Sequence, residues 1–353
     1  MTPPVEPNDV RDVDVVVVGA GQAGLSTAYH LIRHDVVPES GFVVLDANPG
    51  PGGAWRHRWP SLTLGSAHRV HDLPGLPLGD PDPQRPAAEV VAEYYGEFER
   101  RFAIPVHRPV RVRAVTSPDG PEGPLLVTTD HGTWRTAALV NATGTWDKPH
   151  WPYYPGRERF RGRQLHTHDF RSAAELRGQH VVVVGGGTSA IQFLLQLADA
   201  GATTTWVTRR PPKFSERPFD AEWGREVERL VGARVRAGLP PASVVSATGL
   251  PLTEEYRRGI AAGVLVARPM FTEITEHGVR FADGSELHAG AILWATGFRH
   301  ALDHLAPLRL REPTGGIRMD GTTALRDPRV QLVGDGPSVS TLCATRAGRR
   351  AAV

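Results

Sequence analysis

Two glycine fingerprints organise this chain. Gly19-Ala20-Gly21-Gln22-Ala23-Gly24 follows the apolar run Val15 to Val18, and Gly185-Gly186-Gly187-Thr188-Ser189-Ala190 follows Val181 to Val184. Each sits where a buried parallel strand should turn into a helix. Small residues at such a turn let a pyrophosphate approach the backbone N–H groups that open the helix. One such motif is weak evidence. Two in one chain, each after a valine strand, point to a protein that brings two dinucleotides face to face and passes electrons between them.

The next strand after each fingerprint distinguishes the ligands. Phe42-Val43-Val44-Leu45 ends in Asp46, about twenty residues past Gly24, where an acid accepts hydrogen bonds from an unphosphorylated ribose. The corresponding strand after the second fingerprint, Thr203 to Thr208, ends in Arg209-Arg210. An acid there would repel a 2′-phosphate, whereas two guanidiniums would hold one by charge-assisted bonds. The first site reads as FAD or NAD and the second as NADP. The competing reading for Arg209 and Arg210 is a solvated strand end.

Composition excludes several function classes. The 353 residues suffice for two domains with full cores. With 40 basic and 38 acidic residues, net charge +2, there is no electrostatic case for nucleic acid or an anionic membrane. Cys343 is the only cysteine, so chemistry that needs a cysteine pair is excluded. No signal peptide or membrane span is visible, and a cytoplasmic protein is the expectation. The histidines are scattered and suggest no metal site.

The helices after both fingerprints carry apolar stripes: Leu25, Ala28, Tyr29 and Ile32, then Ile191, Leu194, Leu195 and Ala198. Residues 87–102 predict a further amphipathic helix, with Val90, Tyr94 and Phe98 at helical spacing. Three β-prone segments follow, over 110–116, 125–129 and 133–140. The last runs into Ala142-Thr143-Gly144, and a near copy, Ala295-Thr296-Gly297, follows Ile292-Leu293-Trp294. Glycine at such ends lets a backbone pass close to a ligand or turn sharply. The two copies flank the second fingerprint and mark an inserted domain. The expected fold is α/β with two Rossmann-like dinucleotide-binding domains. A disordered tail spans 1–12, the first domain, for FAD or NAD, 13–150 and 294–353, and the second, for NADP, 151–293, with 213–262 as an irregular elaboration of the last.

Phe160-x-Gly162-x-x-x-His166-x-x-x-Phe170, just before the second fingerprint, resembles the identifying sequence of the flavin-containing monooxygenases and their Baeyer–Villiger relatives. The Baeyer–Villiger version ends in Trp-Pro. Arg171 follows Phe170 here, favouring the heteroatom-oxidising or bacterial flavin-monooxygenase branch. Gly52-Gly53-Ala54-Trp55 resembles that family's second FAD contact, and Val333-Gly334-Asp335-Gly336 its third.

The resemblance implies FAD and NADPH as cofactors. The implied enzyme forms a flavin 4a-peroxide and transfers one oxygen atom to a small nitrogen- or sulfur-containing substrate. It puts His166 near the seam between the domains, where it could orient the nicotinamide half of NADPH. Many members carry an Asn shortly after the Trp-containing loop. The stretch 61–68 here has none, leaving Thr63, Ser66 or His68 to donate a hydrogen bond near the flavin.

The expected partners are a small-molecule substrate and molecular oxygen, with a homodimer as a further expectation. Two other readings stay open. One is an NADPH oxidase or electron-transfer reductase without oxygen insertion. The other is a non-catalytic NADPH-sensing regulator.

Overall fold

The structure is a computed structural model that describes residues 10–67, 70–216, 221–240, 249–334 and 341–352. Its first sheet is built around β1 (Val10–Val18), which pairs in parallel with β2 (Phe42–Leu45) on one side and with the strand Gly132–Asn141 on the other. Val106–His107 continues the sheet beyond β2. On the opposite side Val330–Leu332 pairs in parallel with Gly132–Asn141, and Thr323–Ala324 and Met319–Asp320 follow as antiparallel neighbours. The β-prone segments 112–116 and 125–129 form an antiparallel meander against Gly132–Asn141. All four residues of β2 are buried, as expected of a parallel strand covered on both faces. β1 begins at Val10, inside the stretch expected to be a disordered tail.

The second sheet is wholly parallel, in the order Ala267–Pro269, Thr203–Thr208, His180–Val184, Ala291–Trp294, Arg163–His166. Trp294 belongs to this sheet, so the expected boundary at 293/294 cuts its strand one residue early. The two sheets repeat one plan. In each, the fingerprint strand is central, with the strand ending in acid or arginine on one side and the strand entering Ala-Thr-Gly on the other. The repeat extends to single bonds: Ala142 N–H donates to Val18 O and Ala295 N–H to Val184 O, both at 2.8 Å.

Helix α1 (Gln22–Arg33) buries Leu25, Ala28 and Leu31 against the first sheet. Ser26 and Thr27 are buried too, because the helix Thr341–Ala351 covers its other side. There Ser26 Oγ donates to Thr345 O at 2.9 Å. This second contact broadens the buried face and leaves Tyr29 and Ile32 half-buried at its margin. Helix α2 (Ala87–Arg101) buries Val90, Tyr94 and Phe98, with Val91 and Tyr95 on the adjoining strip. Helix α3 (Thr188–Asp199) buries Ile191 and Leu194, together with Phe193 and Leu197.

Within 213–262 the described residues form a short parallel pair, Phe214–Ser215 with Leu250–Pro251, and the helices Ala221–Arg236 and Glu254–Ala261. A three-stranded antiparallel sheet follows over 273–288. The loop after Gly53 crosses from the first sheet to the second. Trp59 and Leu62 join the core under α3, with Trp59 and Phe193 rings 4.9 Å apart. A buried aromatic pair of this kind contributes a few kcal/mol through area and ring geometry, on the order of 1 kcal/mol of it from geometry alone.

Candidate active site

The carboxyl end of the first sheet opens into a cavity of about 590 Å³. Gly19, Gly21, Gln22, Ala23, Asp46, Gly53, Ala54, Trp55, Ala142, Thr143, Gly144 and Gly334 all line it. Segments far apart in the sequence thus converge where a ligand of an open α/β sheet belongs. Asp335 and His68 lie outside the described residues.

The three fingerprint glycines do different work. A methyl group on Gly19, whose φ is +100°, would sit 2.6 Å from Ala142 O. One on Gly24 would sit 1.8 Å from Gly19 O. Both therefore serve packing between strand, turn and helix. At Gly21 the nearest atom to an added Cβ is 4.0 Å away, on Gly53. No protein atom requires glycine there, and the space beside it is open to the cavity. Gly53, at φ +52°, comes so close to Gly21 that a Cβ on it would meet the Gly21 Cα at 2.8 Å. The fingerprint and the Gly52-Gly53 loop form one cradle.

Asp46 is buried at the rim of β2. Its Oδ2 accepts from Arg108 Nε at 2.7 Å and its Oδ1 from Asn48 Nδ2 at 3.1 Å. Arg108 in turn donates from both terminal nitrogens to the Glu99 carboxylate, at 2.6 and 2.7 Å. A carboxylate has about four acceptor positions, so Asp46 keeps capacity for ribose hydroxyls. Arg108 and Glu99 went unnoticed in the sequence, where only the position of Arg108 at a strand end beside the acid-tipped strand could have flagged it.

His304 was also missed. Burial brings its pKa down to about 4, so it stands neutral on the cavity wall and donates from Nε2 to Asn141 Oδ1 at 2.7 Å. Asn141 Nδ2 donates to Thr143 Oγ1 at 3.0 Å, and Thr143 donates to Ala301 O at 2.8 Å. This chain fixes the Ala142-Thr143-Gly144 turn. Trp146, just beyond, stacks on Phe298 at 5.1 Å and carries the Arg58 guanidinium 4.6 Å from its ring centre.

At the second fingerprint, a methyl group on Gly185 would lie 2.2 Å from Ala295 O, the counterpart of the Gly19–Ala142 contact. An added Cβ on Gly187 would meet nothing within 4 Å. Ala190 occupies the packing position of Gly24 and is fully buried. Thr188 and Ser189 form the first turn of α3. Both Gly21 and Gly187 are helix N-caps without a side-chain hydrogen bond, so the N–H groups of each first turn remain for an anion. Arg209 and Arg210 stand exposed at the strand end beyond, and neither pairs with an acid among the described residues.

The expected catalytic residues fare differently. His166 is fully buried at the end of Arg163–His166. Its Nδ1 accepts from the His168 N–H at 3.1 Å and its Nε2 donates to Gly297 O at 3.0 Å. Burial brings its pKa down to about 4, so the ring is neutral with both nitrogens engaged. It acts on the Ala295-Thr296-Gly297 turn, where Thr296 Oγ1 donates to His150 O at 2.5 Å. Ser66 is exposed and lies off the wall of the cavity. Its hydroxyl turns back on its own loop, 2.9 Å from Thr63 Oγ1, while its carbonyl accepts from Gln192 Nε2 at 3.0 Å. Ser66 therefore ties the crossing loop to α3.

Residues 16–223 match the family model described as pyridine nucleotide-disulphide oxidoreductase. The chain belongs to this family. It is similar to a flavin-containing monooxygenase from Stenotrophomonas maltophilia, 35% identical, with 97% of each chain covered and a TM-score of 0.80. A CzcO-like oxidoreductase from Geobacillus kaustophilus is 27% identical over 81% of this chain and 80% of its own length. The indole-3-pyruvate monooxygenase YUCCA1 of Oryza sativa is 28% identical over 80% and 76%. These relatives identify the flavin-containing monooxygenase branch, as the Phe160-to-Phe170 motif implied. Membership makes the protein an oxidoreductase and implies FAD and NADPH as its cofactors. The single cysteine sets it apart from members that reduce disulfides through a cysteine pair.

The residues present fit both groups. Each fingerprint leaves open the volume that a Cβ at Gly21 or Gly187 would fill, and each helix end above it is uncapped. Among the described residues no helix is long and apolar enough to cross a membrane.

Proposed function

We propose that the protein is an NADPH-dependent flavoprotein monooxygenase acting on a small nitrogen- or sulfur-containing substrate. The observation that carries this reading is the paired cradle: two open glycine positions under two uncapped helix ends, one beside Asp46 and the other beside Arg209-Arg210. On this reading residues 10–150 and those from 295 onward form the FAD-binding domain and 151–294 an NADPH-binding insertion. The division of strands between the two sheets supports that arrangement.

Bound FAD supplies hydride acceptance and oxygen activation. The chain's own residues bind and align. Gly19, Gly21 and Gly53 shape the bed of the pyrophosphate, Asp46 accepts from a ribose, and the N-terminus of α1 faces the phosphate charge. Gly187 and the start of α3 do the same for NADPH, with Arg209 and Arg210 holding its 2′-phosphate. Trp55 and Trp146 wall the cavity toward the second sheet and limit water there.

A second reading, an NADPH oxidase, draws on one observation: the Ser66 hydroxyl is spent on Thr63 and no Asn stands in its stretch. Turnover under ¹⁸O₂ with a panel of amines and sulfides separates the two. Label in an N- or S-oxide is the expected result. Hydrogen peroxide in amounts equal to NADPH consumed, with no labelled product, would establish the oxidase instead.

A further inference from the structure

Tyr95 lies in α2, outside every motif read from the sequence. It is fully buried and forms part of the wall of the 590 Å³ cavity. Its hydroxyl is one of two buried side-chain polar groups that have no hydrogen-bond partner among the described residues. Folded proteins leave few such groups, because a buried hydroxyl that has lost water and gained nothing carries its full desolvation cost. The neighbouring Tyr94 shows the ordinary arrangement, donating to Leu76 O and accepting from the Leu73 N–H at 2.7 Å.

The placement of Tyr95 on α2 indicates what would satisfy it. One turn before, Ala92 backs the Gly52 bend, with its Cβ 3.2 Å from where a Gly52 side chain would start. One turn after, Glu99 grips Arg108, which holds Asp46. Tyr95 therefore sits between the support of the Gly21–Gly53 cradle and the support of the ribose acid. Burial pushes its phenol pKa upward, so the hydroxyl keeps its proton to donate.

We propose that the Tyr95 hydroxyl is a binding group for FAD, donating a hydrogen bond to an oxygen of the ADP half. The proposal rests on the cavity being the FAD site. The ADP half is then held from two directions, by the backbone at the end of β1 and by a side chain on α2. The unpaired hydroxyl burdens the empty protein, and the bound cofactor relieves it.

The test compares wild type with Tyr95→Phe, which keeps the ring and removes the donor. FAD is stripped from each protein, and affinities for FAD and for ADP alone are measured by titration. The expected result is a parallel weakening of both, roughly ten- to hundredfold for a bond to a charged oxygen. The melting temperature of the stripped variant should equal or exceed that of stripped wild type, since the variant has lost an unsatisfied group.

Unchanged affinity for both ligands overturns the proposal. Weakened FAD with unchanged ADP overturns the assignment to the ADP half. Weaker binding together with a lower melting temperature of the stripped variant shows that Tyr95 only packs. Wild type that takes up no FAD removes the reading of the cavity itself, and this inference with it.

Discussion

His166 donates from Nε2 to the carbonyl oxygen of Gly297 across 3.0 Å, joining residues 131 apart in the chain. The bond ties the first strand of the second sheet to the turn that leaves its last. Those strands, Arg163–His166 and Ala291–Trp294, are neighbours, and Pro149 bridges Phe298 just beside them. The family histidine therefore pins the place where the chain passes into and out of the second sheet.

This geometry sets a pH dependence. In the folded protein the pKa values of His166 and His304 are brought down to about 4 by burial, against 6.5 for the exposed ring. Below pH 6.5 the unfolded chain binds protons that the folded chain refuses. Their contribution to stability is present above about 6.5 and is lost as pH falls toward about 4. Each unit of separation is worth about 1.4 kcal/mol, so His166 alone accounts for on the order of 3 kcal/mol. Urea unfolding at pH 7.5, 6 and 5 should show falling stability, and His166→Gln should flatten the slope. An identical slope in that variant would show that His166 does not carry the effect.

The glycine contacts predict three distinct phenotypes. Gly21→Val should fold and purify colourless, because only a ligand opposes its side chain. Gly187→Val should fold, keep FAD and lose reduction by NADPH. Gly19→Ala should unfold or aggregate, because its methyl group meets Ala142 O at 2.6 Å and its φ is +100°. Absorbance at 450 nm, stopped-flow reduction and thermal melting check the three. A yellow Gly21→Val protein would show that this glycine does not bed the flavin.

What was legible in the sequence was whatever repeats locally. The valine strands, their glycine turns and the stripe of α2 are short-range patterns with a fixed period, and they appear in the structure close to their expected limits. The cavity wall was legible where a motif supplied backbone, at Gly19, Gly53 and Ala142. Arg108, Glu99, Tyr95 and His304 were not, because each acts through one contact with a distant residue and leaves no periodic trace. Ser66 was named because it stands where many family members carry an Asn, and its contacts, the hydroxyl to Thr63 and the carbonyl to Gln192 on α3, are likewise single and non-periodic.

Arg108 joins two carboxylates in a nearly closed setting, with 12% of its side chain and 5% of that of Asp46 exposed. Removing one partner of such a cluster leaves uncompensated buried charge and costs about 3–5 kcal/mol. Arg108→Met should lose about that much by urea unfolding, and adding Glu99→Gln should restore part of it. A loss under about 1 kcal/mol would class the cluster with exposed pairs.

Arg209 and Arg210 stand exposed without a described acid beside them, which leaves their charge for a phosphate. Replacing both with Gln should lower the NADPH-to-NADH ratio of hydride-transfer efficiency roughly ten- to hundredfold, the loss of a charge-assisted contact. FAD content should not change. An unaltered ratio in rapid-mixing kinetics would mean that the 2′-phosphate is read by other residues.

Coupling between NADPH oxidation and oxygen transfer is the remaining expectation. The stretch 61–67 lacks an Asn, and the Ser66 hydroxyl, 2.9 Å from Thr63 Oγ1, is already satisfied within its loop. With no Asn in that stretch and the Ser66 hydroxyl engaged, part of the NADPH consumed should end as hydrogen peroxide even with a good substrate present. Ser66→Ala should leave the peroxide-to-product ratio unchanged, since its hydroxyl does not line the cavity. His166→Ala should raise the ratio more than it slows reduction by NADPH, because freeing Gly297 loosens the seam that keeps the nicotinamide aligned. A peroxidase-linked assay beside product quantification reads both numbers. Full coupling in wild type, or a large rise in peroxide from Ser66→Ala, would return Ser66 to the neighbourhood of the flavin.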